Sequence, residues 1–416
     1  MKFTIISEEE FRVFLNNHPL KTFLQTPEIG KLRESNGWST EFVGVKEKKK
    51  LVAAAMLLSK PQFQGHLEFY SPRGLLLDYH DKKLLTFFTK ELKKYIDEHD
   101  GYILRIDPYL IKQERDINGD IVENGIDNRN VIDSLEELGY VKAEHDEQVT
   151  WAFSLDLENK TEDDILKNMK ANVRNIIRKA LKNGIQIREL NYEQLDEFKS
   201  ITESTSERRE FVDKPLHYYQ DMYKLYHDKD EIKYIIAEIN LNDYKKGLEE
   251  ELQLTISKIE SIDNNRHSTE GKLKNAQIRK QDLEKQIKDA EQLIQDAGKE
   301  IIPLSAAMFM TYGDEVIYLC SGTDGKYMFF NAQYLIQWYM IQWGIQHKFK
   351  KYNFYGISGN FDKSHPQYGI YKFKKGFNGY VEEVIGEYDL PINKTYQKYC
   401  KYQKIKSFIK KIIRKN

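Results

Sequence analysis

KYIIAEIN, residues 233–240, and PLSAAMFMT, residues 303–311, read as two buried strands, and the segment between them at 241–298 has a different character. In the second half of that segment Leu273, Ala276, Lys280, Leu283, Ile287, Ala290 and Ile294 recur at spacings of three and four, the pattern of a coiled-coil seam with one polar member. The first half offers Leu248, Leu252, Ile256, Ile259 and Ile262, and the polar run DNNRHSTEG, 263–271, separates the two. Two helices of about 20 residues with a short connection predict an antiparallel hairpin roughly 30 Å long. Because strands flank it on both sides, the hairpin is an insertion that projects as an arm. It carries 10 basic and 12 acidic residues, which suits protein contacts and leaves little for phosphate binding.

Outward from the arm, the chain alternates strand and helix. Strands are expected at 41–45, 51–58, 66–70 and 102–107, with a helix at 84–98. After a polar break near Glu158 come helices at 165–182 and 192–226, the strands at 233–240, 303–311 and 315–320, a helix at 331–347 and a strand at 351–355. The fold class is therefore α/β or α+β, in two similar mixed units. The boundaries expected are 1–150 for the first unit, 151–240 with 299–397 for the second, 241–298 for the arm and 398–416 for a terminal helix. A chain of 416 residues, at about 150 per domain, is long enough for two or three such units.

Charge is segregated. The total of 64 Lys and Arg against 65 Asp and Glu gives a net of -1, yet 165–182 holds six basic residues and 398–416 holds eight, neither with an acid, which leaves -15 on the remainder. Lys167, Lys170, Arg174, Arg178 and Lys182 line one face of the first segment, opposite Leu166, Met169, Val173, Ile177 and Ala180, so an anionic partner or a solvated face is expected there. In the second segment Ile405, Phe408, Ile409, Ile412 and Ile413 form the apolar side of a basic amphipathic helix, suited to an anionic membrane face or to docking on the body. Two cysteines, Cys320 and Cys400, are too few for a disulfide framework or a cysteine zinc site and fit a reducing compartment. No run approaches 18 apolar residues and the start resembles no signal peptide, so a cytoplasmic protein, peripheral at most to the membrane, is the expectation.

Catalytic triads, metal-binding HExxH, Walker and dinucleotide motifs do not occur, and the CoA-binding pattern is also missing; its nearest approach, 295–300, lacks the final small residue. What does occur is a concentration of glycine and aromatic residues at 352–361 and 368–377, where a strand runs into a glycine-bearing loop followed by lysines. Such a loop brings backbone N–H groups close to a ligand, or is an ordinary turn with a surface lysine cluster.

These blocks, with the opening MKFT, Gly37-Trp38, Tyr70-Ser71-Pro72-Arg73-Gly74, Asp107-Pro108-Tyr109-Leu110, the Asn-Phe-Tyr-Gly-x-Ser-Gly run from Asn353 and the Phe-Lys-Lys-Gly-Phe-Asn run from Phe373, resemble the Fem family of peptidoglycan bridge aminoacyltransferases over essentially the whole chain. The likeness is stronger to the FemA and FemB members than to FemX. It implies two acetyltransferase-like (GNAT-like) subdomains with the helical arm inserted in the second. It further implies transfer of Gly, Ser or Ala from aminoacyl-tRNA to the amine of the interpeptide bridge on a lipid-linked precursor. No cofactor beyond the tRNA donor is implied, and a homo- or hetero-oligomer with related transferases is left open. Lys374, preceded by Phe373, matches the family's Phe-Lys pair and is the expected electrostatic stabiliser. Arg208 and Arg33 fall at positions of precursor phosphate binding, although some relatives carry a lysine at the latter. Arg73, Gly356, Ser358 and Gly359 belong to the matching blocks and are expected at the substrate. Lys170, Arg174 and Arg178 acquire the tRNA or pyrophosphate as partner. Asp107 either orients and deprotonates the amine or caps the Pro108 turn, and Tyr318 and Tyr355 are cleft hydroxyls or buried strand tyrosines. With neither histidine nor cysteine in the motifs, direct aminolysis is expected. The competing readings are a transferase with another acceptor and a scaffold that recruits partners through the arm.

Overall fold

The computed structural model describes residues 1–263 and 270–413, in which the strands are β1 (Lys2–Ile5), β2 (Ser39–Glu47), β3 (Lys50–Phe63), β4 (His66–Ser71), β5 (Gly101–Ile106), β6 (Ile111–Glu114), β7 (Val141–Lys142), β8 (Trp151–Asp156), β9 (Gln186–Glu189), β10 (Ile232–Asn240), β11 (Ile301–Tyr312), β12 (Glu315–Thr323), β13 (Lys351–Gly356), β14 (Tyr380–Val384) and β15 (Tyr388–Pro391). They are distributed over two compact units, Met1–Glu158 with Met310–Ile317 and Phe349–Asn416, and Asn159–Phe309 with Tyr318–Lys348. Residues 349–397, grouped by the sequence reading with the second unit, thus cluster with the first 158. The cause is β15, which pairs antiparallel with β5 through Tyr388 to Ile106 and Leu390 to Leu104, a contact that a four-residue strand ending in proline does not advertise.

In the first unit one sheet runs β1-β2-β3-β4-β5-β15-β7. Only β4 and β5 pair in parallel, so their connection needs a crossover, and the helix Lys82–Glu98 supplies it. Asp81 starts that helix by accepting from the N–H groups of Lys83 and Leu84, and Leu85, Phe88, Leu92 and Ile96 bury its inner stripe against Val43, Ala53, Leu57 and Leu104. On a separate cluster, Phe63, Tyr102 and Ile103 are covered by Tyr396 and Tyr399 of the C-terminal helix Lys394–Ile413. The unit's other strands run β6-β14-β8-β13-β12, with β12 and β13 parallel and the rest of these pairs antiparallel.

In the second unit the strand order is β12-β11-β10-β9. The apolar helix Ala332–Gln346 buries Leu335, Ile336, Trp338, Met340 and Ile341, while the predicted helix at 192–226 is interrupted, with α-helices at Leu195–Arg209 and Leu216–Tyr226. The predicted helix at 165–182 is likewise two, Glu162–Asn168 and Ala171–Lys182, because Met169 and Lys170 are extended. The first of the two starts at a capping box of Thr161 and Asp164, and the chain leaves the second through Gly184 at φ +77°.

The arm consists of helices Leu241–Asp263 and Glu270–Ala297; the connecting turn at 264–269 lies outside the described residues. Its base is closed where Leu241 N–H donates to Glu300 O at 3.0 Å. Leu248 and Thr255 on one helix, and Ala276, Leu283 and Ala290 on the other, are its buried positions, spaced by seven as a coiled-coil seam requires. Glu251 pairs with Arg279 at 2.8 Å and with Lys182 of the basic helix at 2.7 Å, so one end of the predicted cationic stripe is neutralised by the arm. Leu283→Ala should destabilise the hairpin by about 2–4 kcal/mol. Hydrogen exchange of amides in both arm helices is expected to accelerate, with exchange in the first unit unchanged; unaltered arm exchange would show that the seam does not hold the helices.

Candidate functional site

The strand β13, KYNFYG, alternates: Tyr352 and Phe354 are buried in the apolar core, while Lys351, Asn353 and Tyr355 face the other way. Register places Asn353 beside Ser154 of β8 and Ile317 of β12, and a bulge between Asn353 and Gly356 turns the strand end. There the first unit opens a shallow hollow, lined by the apolar Phe23, Leu24, Val149, Ile317 and Val384 and by the polar Arg73, Tyr109, Asn353, Tyr355 and Glu382. A mostly apolar hollow with a few converging polar groups is the usual form of a small-ligand site.

Charges behind that surface are paired. Lys351 reaches Glu315 at 2.6 Å and Glu382 at 3.0 Å. Burial opposes its charge, but the two carboxylates outweigh burial and hold its pKa well above the ordinary lysine value. The Tyr109 hydroxyl donates to Glu315 at 2.9 Å, Asn353 donates to the same carboxylate at 3.3 Å, and Ser154 Oγ donates to Glu382 at 2.5 Å.

Arg73 and Asp107 form the second buried pair. Arg73 N–H donates to Asp107 Oδ1 at 2.6 Å, its Nε lies 3.7 Å from Oδ2, and its Nη2 donates to Val149 O at 2.8 Å. The guanidinium stands 5.3 Å from the Tyr109 ring centre, and its charge partly offsets the burial that raises the pKa of the Tyr355 hydroxyl. Desolvation pushes the Asp107 carboxyl up to about 7, with Arg73 opposing and Glu387 reinforcing the shift. Asp107 thus accepts from the backbone of another segment, and burial holds its carboxyl near neutrality.

Lys374 sits on the helix Tyr368–Lys375, is 5% exposed, and donates from Nζ to the carbonyls of Tyr355 at 3.1 Å and Gly356 at 2.6 Å. Burial lowers its pKa to about 7. It is not among the residues lining the cavity; it grips from behind the bulge that holds Tyr355 at φ +64°. Phe373 is half-buried with its ring 5.7 Å from Phe377. Gly359, at φ +69°, lies where a Cβ would strike the Trp151 indole, and Ser358 Oγ accepts from Asn360 N–H at 3.2 Å. Arg33 is half-buried on the helix Pro27–Glu34 of the same unit.

The remaining expected residues lie in the second unit. Arg208 donates to Thr323 O at 3.0 Å, and the Tyr318 hydroxyl shares hydrogen bonds with Ser321 and Gln333. Arg174 uses Nη1 on the carbonyls of Leu166, Lys167 and Met169, closing the end of the helix Glu162–Asn168, whereas Lys170 and Arg178 are exposed. Among the described residues, no group of three or more His, Cys, Asp or Glu side chains is placed to hold a metal, and no helix is long and apolar enough to cross a membrane.

The FemAB family pattern matches residues 6–406. The chain belongs to the FemAB family. Among FemAB relatives, the aminoacyltransferase FemA of Staphylococcus aureus strain N315 is 34% identical over 424 residues, covering 98% of this chain and 100% of that protein, and FemA of strain RF122 / ET3-1 matches to the same extent. The crystal structure of FemX superimposes with a TM-score of 0.74 at 22% identity, covering 96% of this chain and 99% of that one, so the two share their mixed α/β fold. Like these FemAB relatives, the chain is an aminoacyltransferase.

Lys351, Glu315, Glu382, Asn353, Tyr109 and Ser154 escaped the sequence reading as site residues. The signal for Lys351 and Asn353 was present: polar residues at alternate positions of an otherwise buried strand mark a face turned to a cavity. For Asp107 the folded carboxyl titrates near 7 against an ordinary value of 3.8, so the stability it lends is complete below about pH 4 and is lost as pH rises through about 7. Asp107→Asn cannot ionise and should gain on the wild type between about pH 4 and 7 and hold that gain above it, read as a shifting difference in Tm. A difference independent of pH would show that the carboxyl ionises normally.

Proposed function

We propose that this protein moves an amino acid, Gly, Ser or Ala, from aminoacyl-tRNA to the free amine of a growing peptidoglycan interpeptide bridge on a lipid-linked precursor, by direct aminolysis. The observation that carries the reading is the match to FemA along the full length of both chains. In this reading the chain comprises two GNAT-like subdomains, with the arm inserted in the second.

The chemistry needs a neutral amine, two aligned substrates and stabilisation of the tetrahedral oxyanion. The amine attacks the ester carbonyl, a C–N bond forms, the C–O bond to the tRNA ribose breaks, and the amine's proton ends on the departing ribose oxygen. The cavity of the first unit takes the aminoacyl group, whose small side chain suits walls made by Phe23, Leu24 and Val149. Asp107, titrating near neutrality and held by the Arg73 N–H, orients the amine or helps remove its proton. Arg73 and the Tyr355 hydroxyl face the developing oxyanion. Lys374, with Phe373 packed beside it, supports them by fixing the Tyr355 and Gly356 carbonyls and by its field. Gly356, Ser358 and Gly359 shape the loop that admits the acyl chain. Arg33 and Arg208 serve precursor phosphates, Lys170, Arg174 and Arg178 the tRNA or pyrophosphate, and Tyr318 a substrate hydroxyl.

Purified protein with charged tRNA and an amine-bearing lipid precursor should transfer labelled amino acid. Lys374→Ala is expected to lower kcat/KM by about 100-fold or more and Tyr355→Phe by about 10-fold, in the range of lost oxyanion and positioning contacts. Absence of transfer, or a Lys374→Ala variant that behaves as wild type, would overturn the proposal. Transfer to a peptide amine in preference to the precursor would reassign the acceptor.

A further inference from the structure

The C-terminal helix Lys394–Ile413 has two halves with different surroundings. Its first turns are fastened to the seven-stranded sheet. The Tyr399 ring centre lies 5.7 Å from that of Phe63 and 5.2 Å from that of Tyr102, and Asn393 Nδ2 donates to Gly101 O at 3.0 Å. Tyr402 is the last contact of that anchorage, its ring centre 5.6 Å from that of Phe63, and beyond it the apolar stripe runs on into the open. Tyr402, Ile405 and Ile409, at i, i+3 and i+7, are 48, 60 and 49% exposed. The side chains of Phe408, Ile412 and Ile413, and residues 414–416 altogether, lie outside the described residues. Lys401, Lys404 and Lys406 are exposed beside the stripe, and 398–416 carries eight basic residues and no acid.

Of the two alternatives left open by the sequence, docking on the body accounts only for the tyrosine half. From the rest we infer that the helix beyond Tyr402 is a docking surface for an anionic lipid bilayer, lying in the interface with Ile405 and Ile409 toward the acyl chains and the lysines among the headgroups. The combination decides the occupant. A nucleic acid would use the lysines and leave the isoleucines in water, because phosphate contacts need only cations. Pairing with a second copy would cover the isoleucines but bring two uncompensated sets of eight cations together. A bilayer of anionic lipids satisfies both features, since apolar burial and headgroup attraction add. Anchoring the first turns to the sheet fixes how the folded body hangs from the membrane. The inference does not depend on the reaction proposed above, and its test uses no substrate.

The full-length protein is mixed with vesicles of pure phosphatidylcholine or with about 30 mol % phosphatidylglycerol, and bound protein is separated by flotation. Flotation with the anionic vesicles alone is expected, falling steeply at about 0.5 M salt, where screening shortens the reach of the lysines. The pair Ile405→Asp with Ile409→Asp, and the triple Lys401→Gln, Lys404→Gln, Lys406→Gln, should each weaken binding at least tenfold, given about fivefold per cation near an anionic surface. All these positions are exposed, and an unchanged Tm verifies that each variant is folded. No flotation with anionic vesicles, or flotation of both variants as of wild type, would overturn the inference. Two further results would also overturn it: added RNA binding through the lysines with no dependence on the isoleucines, and a dimer that the aspartate variant dissociates with no vesicle binding.

Discussion

Lys351 is a half-buried ammonium between strands, and β12 and β14 each bring a carboxylate to it, Glu315 at 2.6 Å and Glu382 at 3.0 Å. Removing both partners would leave a poorly solvated charge without compensation. The strands must therefore keep the register in which Glu315 faces Lys351 and Ile317 faces Asn353. Once that register is set, Asn353 and Tyr355 point to the same side as Lys351, and the cavity inherits a polar floor under apolar walls. Tyr109 extends the arrangement to the segment that follows β5 by donating to Glu315.

A second consequence concerns the strand end. The bulge after Asn353 puts Tyr355 in the left-handed region, which costs an ordinary residue about 1 kcal/mol or more and persists only if its surroundings impose it. Asn353 Oδ1 accepts from Tyr355 N–H on one side of the bend, and Lys374 holds the Tyr355 and Gly356 carbonyls that follow it. The Asp107 carboxyl is displaced toward neutrality chiefly by desolvation, and the Lys374 ammonium is lowered by the same cause.

Much of this was legible in the residues. The arm declared itself through sevenfold spacing, since Leu283 and Ala290 recur where a seam needs them. The glycine and aromatic blocks pointed to the right strand end, because few residue types tolerate such bends. The pairing of Lys351 with Glu315 and Glu382 was not legible, because partners distant in sequence meet only when the strand order is known. Nor was the return of β15 to the first sheet. The break at Met169 and Lys170 has neither glycine nor proline to mark it, and the cationic face read as continuous across it is held apart by Arg174 closing the shorter helix.

The central claim is that the cavity beneath Tyr355 receives the aminoacyl group. A crystal structure of the protein with a non-reactive amide analogue of an aminoacylated RNA end tests it most directly. The account predicts the acyl carbon between Tyr355 and Arg73, with its oxygen in hydrogen-bond reach of the Tyr355 hydroxyl. An analogue bound with its acyl group elsewhere, and the space lined by Phe23, Tyr109 and Asn353 left empty, would contradict it.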